Sequence, residues 1–200
     1  MNDLLLIFVK HPVAGKAKTR LAATLGHEKA LGIYRELLAH TQYVAEFSLA
    51  SKVVFYGNEM PEEDLWSQAG FWRYTQQGEN LGDRMMHAFS WGFSHGFEKI
   101  VIIGSDNARL EPQHLAKAFA ALDDNDTVLG PATDGGYYLF GMKEVIEEVF
   151  KNKKWSTDSV LTDTLADLDK LNKSYTLLEP LSDVDVEEDL KGTFLEKWLD

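Results

Sequence analysis

Leu4-Leu-Leu-Ile-Phe-Val9, followed at once by Lys10-His-Pro-Val-Ala-Gly15-Lys-Ala-Lys-Thr-Arg20-Leu21, decides the fold. An unbroken apolar run of strand length fits a strand buried on both faces in a parallel sheet, because a strand with one wet face would alternate. Runs of the same kind recur at Lys52-Val-Val-Phe-Tyr56, Lys99-Ile-Val-Ile-Ile103 and Thr127-Val-Leu129, closed by Gly57, Gly104 and Gly130-Pro131. Between them apolar residues fall at helical spacing over about residues 19–48, 61–69, 81–95 and 112–122. Strands alternating with helices imply right-handed crossovers and a mainly parallel sheet. In the last third, Tyr137-Tyr-Leu-Phe140 reads as a strand that pairs antiparallel with an edge or folds back across the sheet. Helices are predicted near residues 143–151 and 157–169, a strand near 174–178 and a last helix over about 187–198.

The chain has 200 residues, 44% of them hydrophobic and 12% aromatic. That suffices for one buried core and is too few for two ordinary domains, so residues 1–200 are read as a single domain, without repeat or linker. No cysteine is present, which removes disulfides and thiolate metal sites and leaves oxygen or imidazole to hold any metal. A hard cation, Mg²⁺ or Mn²⁺, is the expectation. An acid precedes the first short apolar run, unlike a signal peptide, and no apolar run approaches membrane-spanning length, so a cytoplasmic protein without a membrane span is expected. The formal charge of −12 argues against nucleic acid as partner. Yet no acid lies between Asp3 and Glu28, where Lys10, His11, Lys16, Lys18, Arg20 and His27 all fall. A local cationic pocket on an acidic protein suits a small anionic ligand.

Residues 10–21 leave the first strand and open the first helix. Gly15 lets backbone approach a ligand, the unpaired N–H groups of the helix start face outward, and Lys16, Lys18 and Arg20 add charge. A helix dipole contributes only roughly 0.3–1 kcal/mol to an anion, so these cations must supply most of the attraction to a pyrophosphate. Lys18 is expected to be exposed. The plainer alternative is a solvated basic loop with Thr19 as N-cap. A P-loop is rejected on spacing, since Lys10 stands at its first glycine and Ala17 at its hydroxyl, and no Gly-x-Gly-x-x-Gly follows the strand.

Gly104-Ser-Asp106-Asn closes the most apolar strand and puts Asp106 on the sheet edge that carries the basic loop. A carboxylate there can hold a divalent cation that also bridges phosphates; capping of the next turn is the alternative. Ser182-Asp183-Val-Asp185-Val-Glu-Glu-Asp189 offers a second acid, Asp183 or Asp185, although such a run also suits a helix N-terminus. Asp134, in Thr133-Asp134-Gly135-Gly136-Tyr137, is the candidate for gripping a hydroxyl-rich acceptor or acting as base, with Gly135, Gly136 and Tyr137 on the acceptor side; a Gly-Gly turn with core tyrosines is the alternative. Asn80-Leu-Gly82-Asp-Arg84 suits contact with base or ribose, or plain helix capping. Trp155-Ser-Thr157 suits an acceptor lid or capping.

Taken in order, Phe8–Leu21, Leu81-Gly-Asp-Arg84-Met85, Gly104-Ser-Asp106, Gly130-Pro-Ala-Thr-Asp134-Gly-Gly-Tyr137, Trp155-Ser-Thr157 and Asp183-Val-Asp185 resemble one family, the glycosyltransferase-like proteins called DUF2064. The chain is more distantly similar to phospholactate guanylyltransferase and molybdenum-cofactor guanylyltransferase. The resemblance implies a single-domain three-layer α/β/α, Rossmann-like GT-A nucleotide-diphospho-sugar transferase fold with a mainly parallel mixed sheet. It implies Lys10, Gly15, Lys18 and Arg20 on nucleotide phosphates and Asp106 with Asp185 on the metal. Where the family usually carries a proline two residues after the strand-end acid, this chain has Ala108.

Two chemistries suit such a site. In glycosyl transfer, metal, Lys18 and Arg20 stabilise a departing nucleoside diphosphate while an acceptor hydroxyl attacks the anomeric carbon. In nucleotidyl transfer a phosphorylated acceptor attacks the α-phosphorus of a nucleoside triphosphate and pyrophosphate leaves. The resemblance favours the first. A non-catalytic nucleotide-binding protein is the third reading, opposed by the joint presence of both acids and the basic loop. Base, sugar and acceptor are not legible, and a homo-oligomer stays open.

Overall fold

The computed structural model describes residues 2–57 and 59–199; Met1, Asn58 and Asp200, within the single domain expected over 1–200, lie outside the described residues. Seven strands form one sheet: β1 (Asp3–Val9), β2 (Ser51–Tyr56), β3 (Trp72–Thr75), β4 (Lys99–Ile103), β5 (Thr127–Pro131), β6 (Tyr137–Met142) and β7 (Tyr175–Leu177), in spatial order β3-β2-β1-β4-β6-β5-β7. Every pairing is parallel except those of β6, which runs antiparallel to both β4 and β5. Leu4 to Ile7 are fully buried, as the unbroken run requires. Leu5, Ile7 and Val9 pack beneath α1 (Thr19–Leu25), α2 (His27–Glu46) and α5 (Pro112–Asp124), while Leu4 and Leu6 face α4 (Leu81–Ser94) and α6 (Val160–Lys170). Helices therefore cover both faces of the sheet, as expected. Among the described residues no helix is long and apolar enough to cross a membrane.

Several elements differ from expectation for local reasons. The helix predicted over 19–48 is two helices, broken at Gly26, whose backbone (φ 85°, ψ 159°) leaves the helical region. Over 61–69 only α3 (Leu65–Gln68) forms, with Asp64 accepting from the backbone N–H groups of Trp66 and Ser67. Edge strand β3 is unannounced in the sequence, being four residues long and mostly exposed. β6 is not at an edge: the tight turn after β5 sends the chain straight back, and β6 fills the place between β4 and β5 with Tyr138–Met142 buried. Near 143–151 and 187–198 the chain makes only short 3₁₀ turns, at Glu147–Phe150, Glu187–Leu190 and Glu196–Trp198.

Candidate active site

Parallel β1 and β4 end side by side, at Val9 and Ile103, and their following loops carry the basic segment and Asp106. Buried Tyr34 of α2 pins the two loops together. Its hydroxyl accepts from Lys10 N (2.9 Å), donates to Lys10 O (3.1 Å) and lies 3.3 Å from Ser105 Oγ. Burial, and then the charge of Asp106, push this phenol above the ordinary tyrosine range, so it stays neutral and can serve both carbonyl and N–H.

The C-terminal segment completes the centre. Leu181 N donates to Pro131 O (3.0 Å), Thr133 N to Leu181 O (3.0 Å) and Val184 N to Asp106 O (2.8 Å), so residues 181–184 lie along the ends of the sheet. Asp183 and Asp185 are thereby delivered beside Asp106. Asn107 donates to Asp183 Oδ1 (3.1 Å) and accepts from Arg109 N (2.9 Å), which holds the strand-end loop against the same acid. Burial first, then Asp106, push the Asp183 carboxyl up to about 6; the Asn107 hydrogen bond and Lys18 act against the rise, and Asp134 adds to it. Asp189 accepts from Asp185 N and Val186 N, both at 2.8 Å. The acidic run thus divides its labour: Asp189 caps the turn, and Asp185 faces the basic loop.

Lys18 corrects an expectation. Its side chain is only 6% exposed, against about half for Asp106 (50%) and Asp185 (48%). Its Nζ stands 2.7 Å from Asp106 Oδ1 and 3.7 Å from Asp185 Oδ1 and donates to Val184 O at 2.7 Å. The reason it points inward is backbone: Lys18 sits in the left-handed region (φ 50°, ψ 50°) as the residue before α1. Thr19 is accordingly the first helical residue and not the N-cap, and no side chain caps that end. Lys10, Gly15, Lys16 and Thr19 are exposed. Arg20, 76% exposed, reaches Asp185 Oδ2 at 3.5 Å.

Asp134, Gly135, Gly136 and Tyr137, the residues expected on an acceptor side, differ in where the fold puts them. Asp134 is exposed, and its Oδ1 accepts from Gly136 N (3.0 Å). Gly135 (φ 91°) has Asp158 backbone atoms 2.1–2.6 Å from where a Cβ would stand, and its carbonyl accepts from Leu161 N (2.9 Å); the turn and the approach to α6 fit only with glycine there. Tyr137 does not line this side. Its ring packs beside Phe140 (centroids 5.2 Å apart), with the hydroxyl buried, because the first outward position of β6 lies under α6. Gly82 packs against Trp155, whose indole lies 2.4 Å from where a Cβ would stand, so two motifs read separately from the sequence form one contact. Trp155, Asn80 and Asp83 border a cavity of about 270 Å³ with Met86 and Lys153. Thr157 Oγ1 donates to Lys154 O (2.7 Å) and closes a local turn. Arg84 donates through Nε to Gly78 O (3.2 Å) and borders a second cavity of about 390 Å³ with Phe55, Tyr74 and Trp91. Tyr34 and Asn107 were not singled out as site residues; an isolated tyrosine in an apolar helix face carries no signal of its loop partners.

Among the described residues no three acids or histidines converge in an arrangement that could hold a metal ion. Asp106 and Asp185, both near one cation, still fit Mg²⁺ or Mn²⁺, which commonly take one or two carboxylates and complete their shell with water and phosphate oxygens.

Residues 40–157 match the family model described as "Uncharacterized protein conserved in bacteria (DUF2064)". Among curated proteins, none matches the sequence. Among solved structures, a protein of Desulfovibrio desulfuricans G20 provisionally named a nucleotide-diphospho-sugar transferase is similar over 99% of this chain and 94% of its own, with 27% identity and a TM-score of 0.89. The inositol-1-phosphate CTP transferase of T. maritima (15% identity, 100% and 95% covered, TM-score 0.58) shares the fold. So does the manganese complex of Rv0371C from Mycobacterium tuberculosis H37Rv (14% identity, 94% and 95% covered, TM-score 0.55).

Proposed function

Because the chain belongs to the DUF2064 family, we propose that it is a metal-dependent transferase using a nucleotide-activated donor, with glycosyl transfer from a nucleotide-diphospho-sugar as its reaction. The observation that carries the reading is the meeting of Lys18, Arg20, Asp106 and Asp185 at the carboxyl edge of the sheet, where open α/β sheets bind ligands. The name given to the Desulfovibrio structure supports it.

Asp106 and Asp185 would hold the divalent cation, which supplies Lewis-acid stabilisation of the diphosphate. Exposed Lys10, Lys16 and Arg20, with backbone at Gly15, bind and orient the phosphates and stabilise charge as the nucleoside diphosphate departs. Asp134, exposed and near enough for its charge to raise the Asp183 carboxyl, would accept the proton of an attacking hydroxyl. Nucleotidyl transfer is the second reading. Three exposed cations, Lys10 and Lys16 in the loop after β1 and Arg20 in the first turn of α1, are enough for a triphosphate, and the T. maritima protein of the same fold is a CTP transferase.

A thermal-shift screen of nucleotide sugars and nucleoside triphosphates, with and without Mg²⁺ or Mn²⁺, tests both, since a specific ligand raises the melting point by mass action. Metal-dependent stabilisation by one nucleotide sugar, with slow release of nucleoside diphosphate, is expected. Preference for a triphosphate with pyrophosphate release would move the assignment to nucleotidyl transfer. Tight binding without turnover of either would make the protein a nucleotide binder and no enzyme.

A further inference from the structure

Three oxygens from two separate loops converge on the Lys18 ammonium: Asp106 Oδ1, Asp185 Oδ1 and the Val184 carbonyl. The lysine reaches them from the protein side, being 6% exposed, while both carboxylates keep about half their surface toward solvent. A divalent cation drawn to the same two carboxylates meets a positive charge already seated between them. Like charges a few ångströms apart in a partly buried site repel by an amount that simple coexistence does not absorb.

Resting on the reading that Asp106 and Asp185 are the metal's carboxylates, we propose that Lys18 competes with the divalent cation for that seat and is displaced by it toward the donor's phosphates. Before the metal enters, the ammonium holds together acids that would otherwise repel. After it enters, the same charge is released to the ligand. The local backbone suits such a swing: Lys18 is in a strained left-handed conformation, no side chain caps the end of α1 behind it, and Ala14, Gly15 and Lys16 before it are exposed. A lysine, with a point charge on a flexible stem, can make the exchange where a planar arginine fork would be held. Metal and donor then assist one another's binding, reciprocally.

Mn²⁺ binding followed by electron paramagnetic resonance without nucleotide tests this on the wild type, Lys18→Gln and Asp106→Asn. Lys18→Gln is expected to bind Mn²⁺ on the order of tenfold or more tightly than wild type, since a competing charge is gone, and Asp106→Asn to lose binding. Equal or weaker binding by Lys18→Gln, with wild type still binding through Asp106, overturns the proposal and leaves Lys18 a fixed clamp. A second measurement needs no variant at position 18: amine labelling of the wild type read by mass spectrometry. Mg²⁺ is expected to speed modification of Lys18 relative to Lys16, and an unchanged ratio at saturating Mg²⁺ overturns the proposal equally. If no Mn²⁺ binds to wild type or Lys18→Gln even with nucleotides present, the metal reading itself falls, an outcome distinct from bound metal with an unmoved lysine.

Discussion

Lys18→Ala removes the ammonium that bridges Asp106 and Asp185 and leaves the Asp106 charge near Asp183 without it. Because the lysine is buried and the two acids are half exposed, the cost is expected at about 1–3 kcal/mol, between that of a surface pair and a fully buried one. Urea unfolding in metal-free buffer checks it, and a change within error would mean that the acids relax into solvent unaided. Asp183 gives a second residue-scale expectation. Its folded pKa of about 6 lies above the ordinary 3.8, so the folded state keeps a proton that the unfolded chain releases. Stability from this group is therefore full below about pH 4 and is lost as pH rises to about 6, by at most about 3 kcal/mol. Asp183→Asn keeps an oxygen for Asn107 and removes the charge, so it is expected to gain stability at neutral pH and none in acid. Identical slopes of stability against pH in the two proteins would sink this account.

Elements were legible where one physical signal dominated. Unbroken apolar runs announced β1, β2, β4 and β5, and α4 began where Asn80 could accept from Asp83 N (3.0 Å), an N-cap readable from the residue type. β3 does alternate, Trp72-Arg-Tyr-Thr75, but over four residues at an edge with both aromatics exposed the pattern is too short to announce a strand. The break at Gly26 was hidden because the apolar spacing of α2 continues that of α1 closely enough to read as one helix. Trp155 on Gly82 could not be read at all, since their contact is a matter of tertiary approach. It supports an expectation: Gly82→Ala forces the indole away from the start of α4, costing about 1–3 kcal/mol as overpacking does. Altered tryptophan fluorescence with a lowered melting point checks it. Asn80→Ala at the same helix end should cost only about 1 kcal/mol and leave the fluorescence unchanged.

At the scale of the whole molecule, the site exists because the last tenth of the chain returns to the carboxyl edge of the sheet. The residue types of Asp106 and Asp185 suggested metal chemistry, but their meeting depends on Val184 N donating to Asp106 O, a backbone contact no side-chain pattern encodes. The same return builds core: Val184, Leu190 and Leu195 are 0–1% exposed and join the cluster of α1, α2 and α5. Burying three such side chains is worth roughly 5–8 kcal/mol, comparable with the whole stability of a domain at about 5–15 kcal/mol. A chain ending at residue 180 is therefore expected to lose cooperative unfolding as well as ligand binding, whereas Asp185→Asn should keep the full melting transition and lose only the metal-dependent stabilisation by ligand. Calorimetry of the two proteins separates support from chemistry in this segment. A truncated chain that still melts cooperatively near the wild-type temperature would show that the sheet and its helices stand without it, and that residues 181–199 serve the site alone.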